Sequence, residues 1–169
     1  MSVDIREETN ADRNAIYEIN AAAFPTEAEA KLVDALRVSA DPFVSLVAEE
    51  DDEIIGNIVF TPVALASFGD LQLMGLAPMA VKPARQRSGI GSRLVEAGLE
   101  NLRTLGVGAV VVLGHADYYP RFGFRPASRW GIASEYDVPD DAFMLLELAS
   151  GYLDGYQGTI RYHAAFAEA

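Results

Sequence analysis

Residues 86 to 113 constrain the fold of this chain more than any other stretch. They open with Gln86-Arg87-Ser88-Gly89-Ile90-Gly91, after which apolar residues recur at helical spacing. The recurring positions are Ile90, Leu94, Val95, Leu99, Leu102 and Leu105, and Gly106 is placed to end the helix. The nearly continuous apolar run Val107 to Leu113 is typical of a central strand covered on both faces. A helix that joins this strand to the preceding one predicts a parallel βαβ unit, and the element order predicts a mixed α/β fold.

The remaining elements are predicted from apolar periodicity and turn residues. We expect a short first strand, two helices, two β-hairpins and two final strands. The first hairpin encloses the acidic turn Glu49 to Glu53, which we expect to be solvated, and the second turns at Gly69-Asp70. The predicted strands are Val3 to Arg6, Phe43 to Ala48, Ile54 to Phe60, Val63 to Phe68, Leu71 to Leu76, Phe143 to Ala149 and Gly158 to His163. The predicted helices start at Thr9 and Thr26, and the second ends near Arg37.

Length and composition limit the classes of function. A chain of 169 residues is long enough to bury about two-thirds of its unfolded surface, so we expect one domain over residues 1–169. The formal charge of -12 disfavours nucleic acid as a partner, and no apolar run reaches membrane-spanning length. The absence of cysteine excludes disulfides and a cysteine nucleophile, and with two histidines we expect no metal site. No secretory signal pattern is present at the start, so the expected location is cytoplasmic.

The Gln86 to Gly91 segment has the composition of an anion-binding loop. The first N–H groups of a helix are unpaired and carry partial positive charge. Glycine at positions 89 and 91 lets a bulky diphosphate approach the backbone. In so acidic a chain, a local concentration of cations predicts an anionic ligand. These cations are Lys82, Arg85, Arg87 and Arg93.

Two common diphosphate motifs do not match this loop. A Walker-type loop needs Gly-Lys-Ser/Thr, whereas this chain has Gly91-Ser92-Arg93. A dinucleotide fingerprint needs a third glycine where this chain has Leu94. A plain helix start, with glycines for tight packing, remains an alternative interpretation of the segment.

Two motifs together resemble a known family. Gln86-x-x-Gly89-x-Gly91, placed after Met79-Ala80-Val81 and before an amphipathic helix, resembles the acetyl-CoA signature of the GCN5-related N-acetyltransferases, the GNAT superfamily. Tyr119-Pro120-Arg121-Phe122-Gly123-Phe124 is similar to the second motif of that family. The resemblance covers about residues 53 to 127. The run Val110 to Phe124 is most similar to the bacterial YhbS-type acetyltransferases.

The resemblance implies a fold and a set of roles. The fold would be a single GNAT-like domain with a central, mostly antiparallel twisted sheet, one parallel βαβ unit splayed around the cofactor, and helices on both faces. Acetyl-CoA would be the co-substrate, and Tyr119 would donate a proton to the departing thiolate. The backbone of Met79 and Val81 would pair with the pantetheine arm, which agrees with the irregular strand that Pro78 indicates. The implied cofactor contacts are Met79, Ala80, Val81, Gln86, Arg87, Ser88, Gly89, Ile90, Gly91, Ser92, Tyr118 and Phe122.

Side-chain chemistry supports an acid at Tyr119 and leaves the base open. A phenol with a pKa of about 10 is a suitable proton donor to a thiolate. The alternatives are that its hydroxyl anchors the turn before Phe122, or that Tyr118 does the same work. Glu29 is a candidate base that would accept the amine proton through water, but Thr26 and Glu29 also fit a capping box.

Four further polar side chains have open roles. His115 and Asp117 follow the central strand, where many members of the resembled family carry an asparagine, and we expect His115 to hydrogen-bond within its loop. Glu135 and Asp137 either line an amine pocket or face water.

The function that these features predict is N-acetylation of a primary amine of a small molecule or peptide. The amine would attack acetyl-CoA directly, through a tetrahedral intermediate, without a covalent enzyme intermediate. Two alternatives stay open: a non-catalytic acyl-CoA-binding sensor, and a protein of which only a partner surface matters. The resemblance also makes a homodimer an expectation, with neither nucleic acid nor membrane as a partner.

Overall fold

A computed structural model describes residues 2–168 of the chain. These residues form two compact units. The first unit holds the chain up to Thr61, then Ala77–Gly98 and the segment from Ala164 onward. The second unit holds Pro62–Leu76 and Leu99–His163. The expectation of a single domain over residues 1–169 stays a prediction.

Three α-helices and nine strands occur within residues 2–168. The helices are α1 (Arg13–Ala23), α2 (Ala28–Ser39) and α3 (Ile90–Thr104). The strands are β1 (Asp4–Glu7), β2 (Val44–Glu50), β3 (Glu53–Leu65), β4 (Phe68–Val81), β5 (Ala109–Leu113), β6 (Arg125–Pro126), β7 (Ile132–Ser134), β8 (Phe143–Glu147) and β9 (Gly158–Arg161). Hydrogen bonds connect the strands in the order β1-β2-β3-β4-β5-β8-β6, and β9 pairs with β3 and β7. The predicted mixed α/β class is confirmed.

The predicted parallel βαβ unit is also confirmed. β4 and β5 run parallel, with Leu73 opposite Ala109 and Gly75 opposite Val111, and α3 connects the two strands. β7 and β9 form a second parallel pair, whereas the pairs β1–β2, β2–β3, β3–β9, β5–β8 and β6–β8 are antiparallel. The sheet is therefore mostly antiparallel, as expected.

In the first unit, helices cover both faces of the sheet. The core of one face joins α1 and α2 to the strands through Ile16, Ile19, Leu32, Val33, Leu36, Val47, Ile54, Val59 and Ala80. Successive side chains of a strand point to opposite faces, so Ala48 lies on the face away from Val47. On that other face, a Cβ added at Gly56 would lie 3.0 Å from the Leu94 side chain of α3. The absence of a side chain at Gly56 thus lets the start of α3 pack directly on β3.

In the second unit, β5 is the buried strand that the sequence predicts. Residues 109–112 are all buried, and Ala109 and Val111 pack with Leu145 of β8 in one core. β5 and β8 pair antiparallel from Ala109 opposite Glu147 onward. This pairing places the loop after β5 at the end of a rigid, fully packed strand.

Two predicted strand boundaries are wrong. Val63 belongs to β3 and Leu71 belongs to β4, so the turn between these strands lies at Ala66-Ser67 and not at Gly69-Asp70. Ser67 has a φ of 75°, in the left-handed region that sequence patterns assign to glycine. A turn that uses serine in this conformation gives no glycine signal, and Gly69 lies inside β4.

Several short elements were not predicted. β6 and β7 contain two and three residues, and 3-10 turns occur at Pro83–Arg85 and Tyr119–Phe122. Such lengths are too short for a periodic signal in the sequence. Among the helices of the described residues, none has the length and apolar character that a membrane span requires.

Candidate functional site

The segment Gln86–Gly91, here called the glycine loop, joins β4 to α3 in the first unit. Before the loop, the Lys82 N–H donates a hydrogen bond to the Ile55 carbonyl of β3 at 2.8 Å. The side-chain amide of Gln86 donates to the Val81 carbonyl at 3.1 Å. The Gln86 side chain therefore ties the loop to the end of the strand that precedes it.

The backbone of the glycine loop contains two left-handed residues. Arg87 has a φ of 65° and Gly89 has a φ of 87°. Among the described residues, nothing lies within 4 Å of the position that a Gly89 Cβ would take. The Ser88 hydroxyl donates a hydrogen bond to the Arg85 carbonyl, which closes the loop on residues 82–85, here called the loop stem.

The loop leads directly into the N-terminus of a long helix. α3 begins at Ile90, and its first N–H groups have no carbonyl partner within the helix. Residues 86–89 are exposed, whereas Ile90 is buried and anchors the helix start. An exposed loop with open space beside Gly89 and unpaired helical N–H groups next to it is suited to bind a diphosphate.

Two of the four cations around the loop are engaged in ion pairs. Lys82 pairs with Glu53, and Arg85 pairs with Glu50, across the gap between the β2–β3 turn and the stem of the loop. The expectation that the acidic turn is solvated is therefore wrong for Glu50, whose side chain is 12% exposed, whereas the side chain of Glu53 is 54% exposed. The positive charge offered to an anion is smaller than the sequence indicates. The other two of these four cations, Arg87 and Arg93, form no ion pair within residues 2–168.

The end of β4 presents its residues alternately to two sides. Ala80 is buried in the core beneath α1 and α2, whereas Met79 and Val81 are half-buried. Because Met79 and Val81 alternate with Ala80, their side chains point away from that core. The residues implied for the pantetheine arm thus lie on the strand that ends at the glycine loop.

Tyr119 lies in the second unit, at the start of the 3-10 turn that follows β5. Its ring is buried, with centroids 5.0 Å from Tyr118 and 5.8 Å from Phe124. Gly114 makes room for the ring, because a Cβ at that position would lie 2.3 Å from a Tyr119 carbon. Burial raises the pKa of Tyr119 to about 12, so the phenol keeps its proton at neutral pH.

The hydroxyl of Tyr119 has no hydrogen-bond partner among residues 2–168. A hydroxyl that anchored the turn before Phe122 would need such a bond. The alternative role of Tyr119 as a turn anchor is therefore not supported; the residue is held by the packing of its ring and by its N–H, which donates to the His115 carbonyl at 3.4 Å.

Tyr118 is engaged differently from its neighbour. It is half-buried, and the Arg121 guanidinium lies 4.5 Å from the centroid of its ring. The Arg121 Nε also donates to the Tyr118 carbonyl at 3.0 Å, and the Tyr118 and Phe122 rings are 5.3 Å apart. Tyr118, Tyr119 and Phe122 thus form one aromatic cluster, in which Tyr118 and Phe122 pack around the more deeply buried Tyr119.

Glu29 is the second residue of α2, and the predicted capping box is wrong. The N-cap of α2 is Glu27, and the Thr26 hydroxyl accepts a hydrogen bond from the Ala28 N–H at 3.2 Å. The carboxylate of Glu29 takes no part in a cap. Its Oε1 atom is buried and has no hydrogen-bond partner within the described residues. The capping-box alternative for Glu29 is thereby removed, while its role as a base remains a prediction.

The four polar residues with open roles fall into two groups. His115 and Asp117 are exposed after β5, and the His115 carbonyl accepts from the Tyr118 N–H at 3.1 Å. Glu135 accepts a hydrogen bond from the Tyr162 N–H at 2.6 Å, which gives it a structural partner. Glu135 and Asp137 both line a pocket of about 380 Å³ in the second unit, together with Ser128, Ser134, Tyr136 and Asp140.

Sequence reasoning missed the carboxylates that hold the stem of the glycine loop. Glu50 and Glu53 lie about thirty residues before their partners Arg85 and Lys82. The one sequence signal for this pairing is an acidic turn that is followed, further along the chain, by a basic segment. Sequence reasoning also gave Gly114 no role, although the Tyr119 ring occupies the space beside it. No group of three or more His, Cys, Asp or Glu side chains within residues 2–168 is arranged to hold a metal ion.

Comparison with known proteins places these features among acetyltransferases. The model of the acetyltransferase (GNAT) domain matches residues 41–126. The chain is 36% identical to the uncharacterized N-acetyltransferase YhbS of Escherichia coli K12 over 163 residues, which cover 96% of this chain and 97% of YhbS. It is also 42% identical over 135 residues to the uncharacterized N-acetyltransferase YjhQ of the same organism, covering 78% of this chain and 75% of YjhQ.

Solved structures agree with the sequence comparison. The crystal structure of Escherichia coli YhbS in complex with CoA has a TM-score of 0.92 and 35% identity, covering 98% of this chain and 92% of that chain. A GNAT family acetyltransferase from Brucella melitensis in complex with acetyl-CoA has a TM-score of 0.81 and 37% identity, covering 98% of each chain. The similarity thus extends over nearly the whole chain and includes both the glycine loop and the Tyr119 turn.

Proposed function

The chain belongs to the GNAT family of acetyltransferases, and we propose that it transfers an acetyl group from acetyl-CoA to a primary amine of a small molecule or peptide. One observation carries the proposal. The exposed glycine loop leads into the N-terminus of α3, as a diphosphate site requires. Two solved structures that are 35% and 37% identical to this chain contain CoA and acetyl-CoA, respectively.

The glycine loop would bind the pyrophosphate of acetyl-CoA through its backbone. In the proposed arrangement, the N–H groups of residues 87–91 donate to the phosphate oxygens, with Gln86 and Ser92 at the two ends of the loop. The exposed Arg87 adds positive charge beside it. Ile90 anchors the helix start from within the core. The backbone of Met79, Ala80 and Val81 would pair with the amide groups of the pantetheine arm, while Tyr118 and Phe122 would contact the cofactor through their rings.

The proposed reaction needs three functions from the protein: orientation, a proton acceptor and a proton donor. The neutral amine attacks the thioester carbonyl, a tetrahedral oxyanion forms, and the C–S bond breaks to release the CoA thiolate and the amide. Tyr119 would supply the proton to the departing sulfur. The buried phenol is neutral at physiological pH and therefore carries the proton to be donated.

Glu29 is the proposed proton acceptor. The amine loses a proton on its way to the amide, and Glu29 would take that proton through a water molecule. Two observations support this role: the Glu29 carboxylate has no capping function, and its buried Oε1 atom has no partner within the described residues. A buried carboxylate oxygen without a hydrogen bond is costly to the fold, which favours a functional reason for its presence.

The proposal is tested by the release of free CoA from acetyl-CoA over a panel of primary amines. Each amine is paired with its N,N-dimethyl analogue, which has similar charge and shape but cannot form the amide. We expect release with at least one primary amine and none with its analogue. Binding of acetyl-CoA without turnover on any amine would instead identify an acyl-CoA sensor.

The cofactor assignment has its own measurement. Acetyl-CoA should raise the melting temperature clearly above any shift from NADH or ATP, because a ligand stabilises the state that binds it. Equal or absent shifts would contradict the coenzyme assignment. A homodimer and a cytoplasmic location remain further parts of the proposal, and light scattering on the purified chain tests the first of them.

A further inference from the structure

The turn between β2 and β3 carries the highest density of carboxylates next to the candidate cofactor site. Asp51 and Asp52 form the tip of this turn and are exposed, with φ values of 52° and 64°. The flanking glutamates reach three different cations. These ion pairs are Glu49 with Arg6 of β1, Glu50 with Arg85, and Glu53 with Lys82.

The two pairs that reach the stem of the glycine loop differ in burial. The side chains of Glu50 and Arg85 are 12% and 33% exposed, whereas those of Glu53 and Lys82 are 54% and 43% exposed. An exposed ion pair contributes little, because water screens both charges. A hydrogen bond between charged groups that is partly shielded from water contributes more. The restraint on the loop stem therefore comes mainly from Glu50.

Arg85 connects this restraint to the loop backbone. Its N–H donates to the Lys82 carbonyl at 2.8 Å, and its own carbonyl accepts the hydrogen bond of the Ser88 hydroxyl. Ser88 lies between the two left-handed residues of the loop, Arg87 and Gly89. Holding the Arg85 side chain therefore fixes the residue against which the loop is folded, and an ordered loop loses less entropy when a ligand binds.

We propose that Glu50 is a positioning residue for acetyl-CoA, which acts through Arg85 to hold the glycine loop in its pyrophosphate-binding conformation. This inference rests on the proposed function. It also means that the negative charge of Glu50 favours the binding of an anion. A carboxylate close to an anion site weakens anion binding by simple electrostatics, whereas a carboxylate that orders the loop strengthens it.

The test is calorimetric titration of CoA into the full-length chain and its variants. Glu50→Gln removes the charge and keeps the size, and we expect it to raise the Kd for CoA about ten-fold. The kcat at saturating acetyl-CoA should change less than about two-fold, because the restraint acts on binding and not on the reacting atoms. Glu49→Gln is the matched control. It removes the same charge from the same turn, but its partner Arg6 lies in β1 and, within residues 2–168, bonds Asp12 and Glu7 and not the loop stem.

The role of Arg85 is tested by a double-mutant cycle. Arg85→Gln should weaken CoA binding about as much as Glu50→Gln, and the double variant should bind no more weakly than either single variant. Glu50→Asp, which keeps the charge, should recover part of the affinity. It also serves as the second comparison if Glu50→Gln lowers the melting temperature of the free protein.

Two results would overturn the inference while leaving the proposed function intact. One is a Glu50→Gln variant that binds CoA as tightly as the wild type or more tightly. The other is an Arg85→Gln variant far weaker than Glu50→Gln, which would mean that Arg85 contacts the ligand itself. A wild-type chain that fails to bind CoA would instead remove the proposed function, and this inference with it.

Discussion

The glycine loop and the Tyr119 turn differ in which groups they present and in how deeply these groups are buried. The loop exposes residues 86–89, offers backbone N–H groups, and uses its side chains mainly to hold its own shape. The Tyr119 turn buries an aromatic ring and offers one side-chain hydroxyl that has no partner among residues 2–168. A site built from backbone depends on conformation, and a site built from one hydroxyl depends on residue identity. Substitutions in the Tyr119 turn should therefore change kcat, whereas substitutions in the glycine loop should change the Kd for CoA.

The largest expected effect comes from Tyr119→Phe. The change removes one oxygen and leaves the ring packing against Tyr118 and Phe124, so the fold should keep its stability. We expect kcat to fall about 100-fold, because the thiolate leaves without a proton donor. The Kd for acetyl-CoA should stay within about two-fold of the wild type. Steady-state kinetics and calorimetry on the same preparations measure both quantities.

Tyr118→Phe is the control for this prediction. It removes a hydroxyl from the neighbouring ring of the same cluster, which packs against Arg121 and Phe122. We expect a much smaller change in kcat. Equal losses in the two variants would contradict the assignment of the donor to Tyr119, and an unchanged rate in Tyr119→Phe would end it.

The second effect should appear in binding and not in turnover. Gly89→Ala adds a methyl group into open space, but the residue has a φ of 87°, which disfavours any side chain. The left-handed conformation costs a non-glycine residue about 1–2 kcal/mol, so we expect the Kd for CoA to rise about ten-fold. The kcat at saturation should change little.

Gly69→Ala is the matched control for the loop. It also adds a methyl group where nothing lies within 4 Å, but its φ is outside the left-handed region and it lies in β4, in the second unit. It should leave the Kd for CoA unchanged. If both variants bind CoA like the wild type, the backbone conformation of the loop does not determine affinity, and the contrast between the two regions fails.

The sequence predicted the parts of this site that depend on local patterns. α3 begins one residue after Gly89 and ends before Gly106, which has a φ of 82°, because helical periodicity and glycine stop signals are local. The Tyr119 motif was recognised from six consecutive residues. What the sequence could not predict depends on contacts between distant residues. The pairing of Glu50 with Arg85 requires the β2–β3 hairpin to bring together side chains 35 positions apart.

The errors have equally specific causes. The capping box at Thr26 was wrong because the helix starts one residue later than that pattern requires, with Glu27 as its N-cap. The strand boundary at Gly69 was wrong because Ser67 takes the left-handed turn position. In both places two local patterns compete within a few residues of sequence. Neither error affects the glycine loop or the Tyr119 turn.

The smallest expected effect is a change with pH in the free energy of unfolding, which tests the burial of Tyr119. Its pKa is raised from 10.0 to about 12, chiefly by desolvation. The folded state therefore keeps the proton over a range of pH in which the unfolded state has lost it. Stability from the neutral phenol is fully present below about pH 10 and is lost as the pH rises toward about 12.

Urea unfolding of the wild type and of Tyr119→Phe at pH 9 and pH 11 measures this contribution. Because Tyr162 also has a raised pKa from burial, the wild type alone does not isolate Tyr119, but the difference between the two chains does. We expect the free energy of unfolding of the wild type to fall by about 1 kcal/mol more than that of the variant between these pH values. Equal losses would mean that water reaches the Tyr119 hydroxyl freely. The side-chain region would then resemble the exposed glycine loop, and the contrast between the two would rest on kinetics alone.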